Sequence, residues 1–190
     1  MKSIMIPAVL CLLSACASRQ PDHFYVLHPD PQRPVEGTTG ATVQVMLSVS
    51  LPSLVDRAEI VLNTGADRVI VLEHERWAAP LTDLVAQTLA EDMERRRHDL
   101  LIAGPGTSPA GSPVLKVAVD IVQMTARRGA LTSIVTHWRI LDSRTGVQAT
   151  GGQEFSAALG GDGYAAIAQA LSDCLALLAD RLVADLAPPH

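Results

Sequence analysis

Six histidines, at positions 23, 28, 74, 98, 137 and 190, and twenty carboxylates in 190 residues could supply acid–base, metal or nucleophilic chemistry. Spacing decides which of these the chain can build. A helical zinc site of the protease kind needs two histidines four residues apart with a glutamate after the first. His74-Glu75 begins that pattern, but position 78 is Ala. A serine nucleophile elbow needs G-x-S-x-G. Gly106-Thr107-Ser108-Pro109-Ala110-Gly111 puts a proline after the serine and the second glycine one place late. Gly104-Pro105-Gly106 has no lysine to complete a phosphate loop. Gly160-Gly161-Asp162-Gly163 has the composition of a calcium loop, but a turn with Asp162 in the cap region of a following helix is the simpler reading. Arg95-Arg96-Arg97-His98 could bind phosphate. Because Glu91, Asp92 and Glu94 lie beside it, it reads better as a solvated helix end whose cations complement the carbonyl dipole. The pattern points to no enzyme, no metal site and no cofactor.

The three cysteines say more. Residues 1–16 read MKSIMIPAVLCLLSAC: Lys2 supplies a positive start, and Ile4 to Leu13 an apolar run of ten. A bilayer-spanning helix needs about 20 such residues, whereas a secretory signal needs roughly 7–15. Leu13-Ser14-Ala15-Cys16 resembles the bacterial lipobox, in which a small residue precedes the cysteine that receives lipid. By that resemblance residues 1–15 are a signal peptide, Cys16 is the lipid attachment site and residues 16–23 are a tether. Cys11 cannot take this part, because Leu10 is too large for the position before it. Ala17, rather than Asp, follows Cys16. In the same resemblance this directs the chain to the periplasmic face of the outer membrane. Only Cys174 remains in the mature chain. It falls among Leu171, Leu175 and Leu178 and reads as a small buried apolar residue.

Composition fits one folded domain. Apolar residues make up 48% and charged residues 18%, too greasy and too weakly charged for a disordered chain. Fifteen Lys and Arg against twenty acids argue against nucleic acid, whose phosphates need clustered cations. Aromatics at 3% leave no stacking platform for bases.

Periodicity supplies the elements. Residues 24–27 form a short apolar run. Val43, Val45, Leu47 and Val49 alternate with polar neighbours, a half-buried strand. Residues 60–62 and 69–72 are β-branched runs joined by Asn63-Thr64-Gly65-Ala66-Asp67, a hairpin turn. Pro80 suits a first helical position, and Leu81, Leu84, Val85, Leu89 and Met93 then form one stripe. Residues 114–124, 131–141 and 148–159 read as three strands, joined by turns at Arg127-Arg128-Gly129 and Arg144-Thr145-Gly146. Tyr164, Ile167, Leu171, Leu175, Leu178 and Leu182 line a last helix of about 23 residues, ended before Pro188. The order β, β, β, β, α, β, β, β, α predicts an α+β two-layer sandwich. Its sheet is mostly antiparallel, with both long helices on one face, in a single domain over 24–187.

Two blocks carry a family likeness. Residues 51–61, LPSLVDRAEIV, are similar to LP-x-(Y/L)-L-D-R-P-x-I-V. Residues 76–81, RWAAPL, are similar to R-W-A-E-P-L, and Phe24-Tyr25-x-Leu27 fits the opening. Together they resemble the ABC-type transport auxiliary lipoproteins of the PqiC type. Ala58 stands where Pro is usual and Ala79 where Glu is usual, which bears on whatever partner contact that Glu makes elsewhere. The resemblance implies a non-enzymatic component of an MCE-type lipid or organic-compound transport system, docking an MCE protein at the outer membrane. Self-association is left open. The alternative is an envelope scaffold or activator lipoprotein, for example of cell-wall synthesis. Arg57 and Trp77 are the candidate partner-binding residues, since hot spots favour Arg and Trp. Each has a structural reading too: Arg57 pairing with Asp56 or Glu59 to order the turn, and Trp77 packing a strand-to-helix corner.

Overall fold

The computed structural model describes residues 20–32, 43–103 and 115–186. Cys16 lies outside the described residues, as does the segment holding Gly104 to Ser108. In chain order the elements are β1 (His23–Tyr25), β2 (Val43–Ser50), β3 (Glu59–Asn63), β4 (Val69–Trp77), α1 (Leu81–Arg96), β5 (Leu100–Ala103), β6 (Leu115–Ala126), β7 (Leu131–Asp142), β8 (Gly146–Ala158) and α2 (Tyr164–Asp185). The expected α+β class holds, with two helices and the alternating strands where periodicity placed them.

Three features differ from the expectation. The strands form two mixed sheets rather than one, ordered β1-β4-β3 and β5-β2-β6-β7-β8. Strand β5 is additional; it pairs parallel to β2 beside it, and β6 pairs parallel to β2 on the other side. Strand β4 runs on through Glu73–Trp77, because the pairing skips from Ile60↔Leu72 to Glu59↔Arg76, a bulge that re-aims the strand end.

The core lies between the five-stranded sheet and both helices. Alternation along β2, β6 and β7 sends Val45, Leu47, Val117, Val119, Trp138 and Ile140 inward. Helix α1 covers β2 and β5, α2 covers β7 and β8, and the helices pack on each other. The α1 stripe (Leu81, Val85, Leu89 and Met93) and the α2 stripe (Leu171, Cys174, Leu175, Leu178 and Leu182) are fully buried. Cys174 is the small buried residue expected; its Sγ donates to the Thr132 carbonyl at 3.5 Å, and burial pushes its thiol up to about 12. Trp138 needs the space left by Gly151 across from it on β8: a Cβ there would fall 2.2 Å from the ring. The indole N–H donates to Asp185 of α2 at 2.9 Å, and Arg181 lies over the ring. Gly129 and Gly146, in the turns flanking β7, have φ of 68° and 99°, a region that side chains disfavour.

Two side-chain expectations are corrected. Gly163 caps α2 with no side-chain hydrogen bond, and Asp162 instead offers its backbone carbonyl to Arg128 at 3.2 Å. Among the described residues no group of acids, histidines or cysteines could hold a metal ion. The arginine run is not uniformly solvated either. The Arg96 side chain is 2% exposed and sits among Asp92, Asp30 and Asp180, reached because α2 and the chain after β1 close over the end of α1.

Candidate functional site

The two blocks singled out in the sequence meet at one corner. After Pro52 the chain turns tightly: the Pro52 carbonyl accepts from the Val55 and Asp56 amides at 3.0 and 3.1 Å, and Val55 is buried. The Asp56 carboxylate accepts from Thr82 Oγ1 at 2.9 Å, pinning the turn to the first turn of α1. At the end of β4 the Trp77 amide donates to the Ala58 carbonyl at 2.7 Å, and the Ala78 amide to the Tyr25 carbonyl at 2.8 Å. Three distant segments are thus fastened by backbone bonds, which a substitution such as Pro to Ala at position 58 leaves available.

Arg57 projects from this turn with its side chain 43% exposed, and its Nε donates to Glu59 Oε2 at 3.0 Å. Of the two pairings considered for it, Glu59 is the partner; Asp56 is taken by Thr82. Arg76 approaches the other oxygen of Glu59 at 3.4 Å. The hydrogen bond from Arg57, with Arg76 nearby, holds the Glu59 carboxyl below its ordinary value. Register places Phe24, Arg76 and Glu59 in one row across the three-stranded sheet, and Phe24 is 63% exposed. Trp77 is the opposite case. It is 5% exposed and belongs to the core, so its indole acts on the surface only by holding the corner. Ala79, where the resemblance had a Glu, is exposed beside Pro80.

Behind that row lies a group the sequence did not announce. Glu75 is buried; it accepts from the Tyr25 hydroxyl, and His23 Nδ1 lies 3.0 Å from its other oxygen. Burial pushes the Glu75 carboxyl up, but these bonds outweigh it and hold the group below its usual value. Burial, and then the carboxylate, push the Tyr25 hydroxyl up to about 12. A carboxylate with its lone pairs engaged and a phenol this weakly acidic form a clasp between β1 and β4, not an acid–base pair near neutral pH. His74 and Asp22, 2.9 Å apart, fasten the chain just before β1. The signal available was weak: His23, Tyr25 and Glu75 share a face only once the parallel β1–β4 register is known.

The two sequence blocks therefore form one corner of an α+β domain, braced by backbone hydrogen bonds between the 52–58 turn, the end of β4 and β1. The comparisons are specific. The model of the family described as ABC-type transport auxiliary lipoprotein component matches residues 25–183. The chain belongs to that family. A comparison with curated proteins finds no match. Among solved structures, one of an uncharacterized protein overlays with TM-score 0.74 at 15% identity, covering 88% of this chain and 100% of the other. A protein from Xanthomonas campestris overlays with TM-score 0.64 at 18% identity, covering 85% and 92%. At these identities the overlays speak for the fold alone. No helix among the described residues is long and apolar enough to cross a membrane.

Proposed function

We propose that this protein is a non-enzymatic, lipid-anchored auxiliary component of an MCE/ABC-type system transporting lipids or other organic compounds. In this reading residues 1–15 are removed as a signal peptide and Cys16 carries the acyl chains. Residues 16–23 tether the single domain over 24–187 to the periplasmic face of the outer membrane, where it docks the MCE protein. The family supplies the auxiliary and lipoprotein parts of the reading. The observation that carries the docking part is the corner. Chain segments from before β3 and after β4 converge there and hold Arg57 at the surface, where among the described residues only its Nε is engaged, by Glu59. A guanidinium carries five donors in a fixed fork, so Arg57 keeps donors for a partner carboxylate. Trp77 serves the same surface from inside, as a positioning residue.

The test is a binding titration of wild type and Arg57→Ala with the MCE protein encoded beside this gene, run with a thermal melt. Losing an exposed ion pair costs no more than about 1 kcal/mol of stability, whereas losing an interface arginine weakens binding by about 2 kcal/mol or more. An Arg57→Ala protein that binds as wild type does would show that the corner is structural and the interface lies elsewhere.

A further inference from the structure

The face of the five-stranded sheet turned away from the helices carries a groove of about 530 Å3 over β2, β6, β7 and β8. Register lays two rows of residues across it: Ser48, Ala118, Arg139 and Thr150 in one, Ser50, Asp120, His137 and Gly152 in the next. Their charges are sorted rather than paired. Ser50 Oγ donates to Asp120 Oδ1 at 2.5 Å, which draws the carboxylate toward β2. His137 leans the other way: a Cβ on Gly152 would fall 2.7 Å from its Cδ2, so the imidazole lies against β8. Arg139 has no hydrogen bond or ion pair among the described residues. A carboxylate thus stands on the β2 side and an arginine with a histidine on the β7 side, with small Ala118 directly across from Arg139.

We propose that this groove binds a small zwitterion of the aminoethyl phosphate type. The phosphate takes the Arg139 fork, with His137 and the Thr150 hydroxyl beside it, because arginine meets phosphate with two parallel hydrogen bonds. The primary ammonium takes Asp120, whose Oδ2 is not used by Ser50. Length selects the ligand. Asp120 and Arg139 are diagonal neighbours on adjacent strands, their Cα atoms about 7–8 Å apart, with the Asp120 carboxylate drawn further off toward Ser50. An α-amino acid, with both charges on one carbon, is too short to reach both, whereas an aminoethyl phosphate spans them. The volume is of the order expected for a small-molecule site, about 300–1,000 Å3. Such a group can come from a phospholipid headgroup or from free phosphoethanolamine. The inference rests on the groove alone and stands whether or not the corner docks an MCE protein.

The experiment is a titration of the 15N-labelled protein, read by amide chemical shifts. The probes are O-phosphoethanolamine, phosphocholine, glycerol 3-phosphate and dihexanoyl phosphatidylethanolamine below its micelle concentration. Phosphoethanolamine is expected to saturate, with shifts confined to β2 and β6–β8. Phosphocholine binds more weakly, since its quaternary nitrogen cannot donate to Asp120. Arg139→Gln weakens binding about tenfold or more, and Asp120→Asn abolishes the preference over glycerol 3-phosphate. Both side chains are exposed, and a melt of each variant verifies the fold. Binding of the short-chain lipid at least as tight as that of phosphoethanolamine assigns the site to a headgroup; binding of the monoester alone assigns it to the free compound. No saturation of wild type by either at about 50 mM, or unchanged binding in both variants, overturns the proposal.

Discussion

Replacing Arg96 by Met should cost the domain about 3–5 kcal/mol, the range for breaking a buried ion pair from one side. The arginine is almost fully buried and every edge of it is engaged. Nε donates to Asp180 at 2.6 Å, Nη1 to the Asp92 carboxylate and carbonyl at 2.9 Å each, and Nη2 to the Ala176 carbonyl at 2.9 Å. Asp30 Oδ2 lies 3.6 Å away, and the Asp30 amide donates to Asp92. One cation therefore holds α1, α2 and the chain after β1 together among three carboxylates. Methionine keeps the aliphatic packing and removes only the charge. Asp180, 45% exposed, can rehydrate; Asp92, fully buried and with no partner for Oδ2 among the described residues, cannot. The cost also depends on pH. Burial raises the Asp92 carboxyl above its ordinary value even with Arg96 beside it. Such a group stabilises fully below its unfolded value and loses that contribution as pH rises through the folded one. Without Arg96 the folded value climbs further, so the loss is larger at pH 8 than at pH 5. Urea unfolding of both proteins at the two pH values reads this directly, and Asp92→Asn added to Arg96→Met should restore part of the stability. A loss below about 1 kcal/mol that is the same at both pH values would mean Arg96 is an ordinary solvated side chain, and the reasoning would be wrong.

Cys16→Ser should yield an unprocessed or mislocalised precursor whose domain still folds; membrane fractionation with unchanged processing and association would reject the lipid attachment. Leu171→Asp or Leu178→Asp puts an unpaired charge at a site no more than 1% exposed. That costs several kcal/mol against a total of about 5–15, so no cooperative melt near the wild-type temperature is expected. Gly151→Ala should destabilise by about 1–3 kcal/mol, because its methyl must displace Trp138. Gly160→Ala, with open space around its Cβ, should melt within error of wild type.

Long amphipathic segments declared themselves in the sequence because their partners matter less than their period. The α1 and α2 stripes and the β6–β8 hairpins follow from spacing and turn residues alone. Strand β5 did not: it is four residues long and gains its identity only by lying beside β2, more than fifty positions away. The far end of β4, Glu73–Trp77, carries too many charges to resemble a strand, and it is held there by β1 and by the bulge opposite Ile60. Arg96 looked solvated because its acidic partners Asp30 and Asp180 are remote in sequence. For the corner, the residue types in both blocks were visible, and so was the competition between Asp56 and Glu59 for Arg57. The outcome depended on Thr82 taking Asp56. The charge-sorted groove was out of reach, since it exists only through the registers of four strands.

The clasp around β1 sets the reach of the whole protein. Asp22 is pinned to His74 and the next residue is already paired with β4, and six peptide steps separate Cys16 from Asp22. Fully stretched, they span about 20 Å, roughly half the width of a domain of this size. With Cys16 acylated as proposed, the molecule does not roam the periplasm on its lipid but rides close to the leaflet, unable to turn its tethered side toward the opposite membrane. Encounters then become nearly two-dimensional. A partner must bring its own end down to the membrane surface, and lengthening the 17–21 stretch would trade that confined search for a wider and less oriented one.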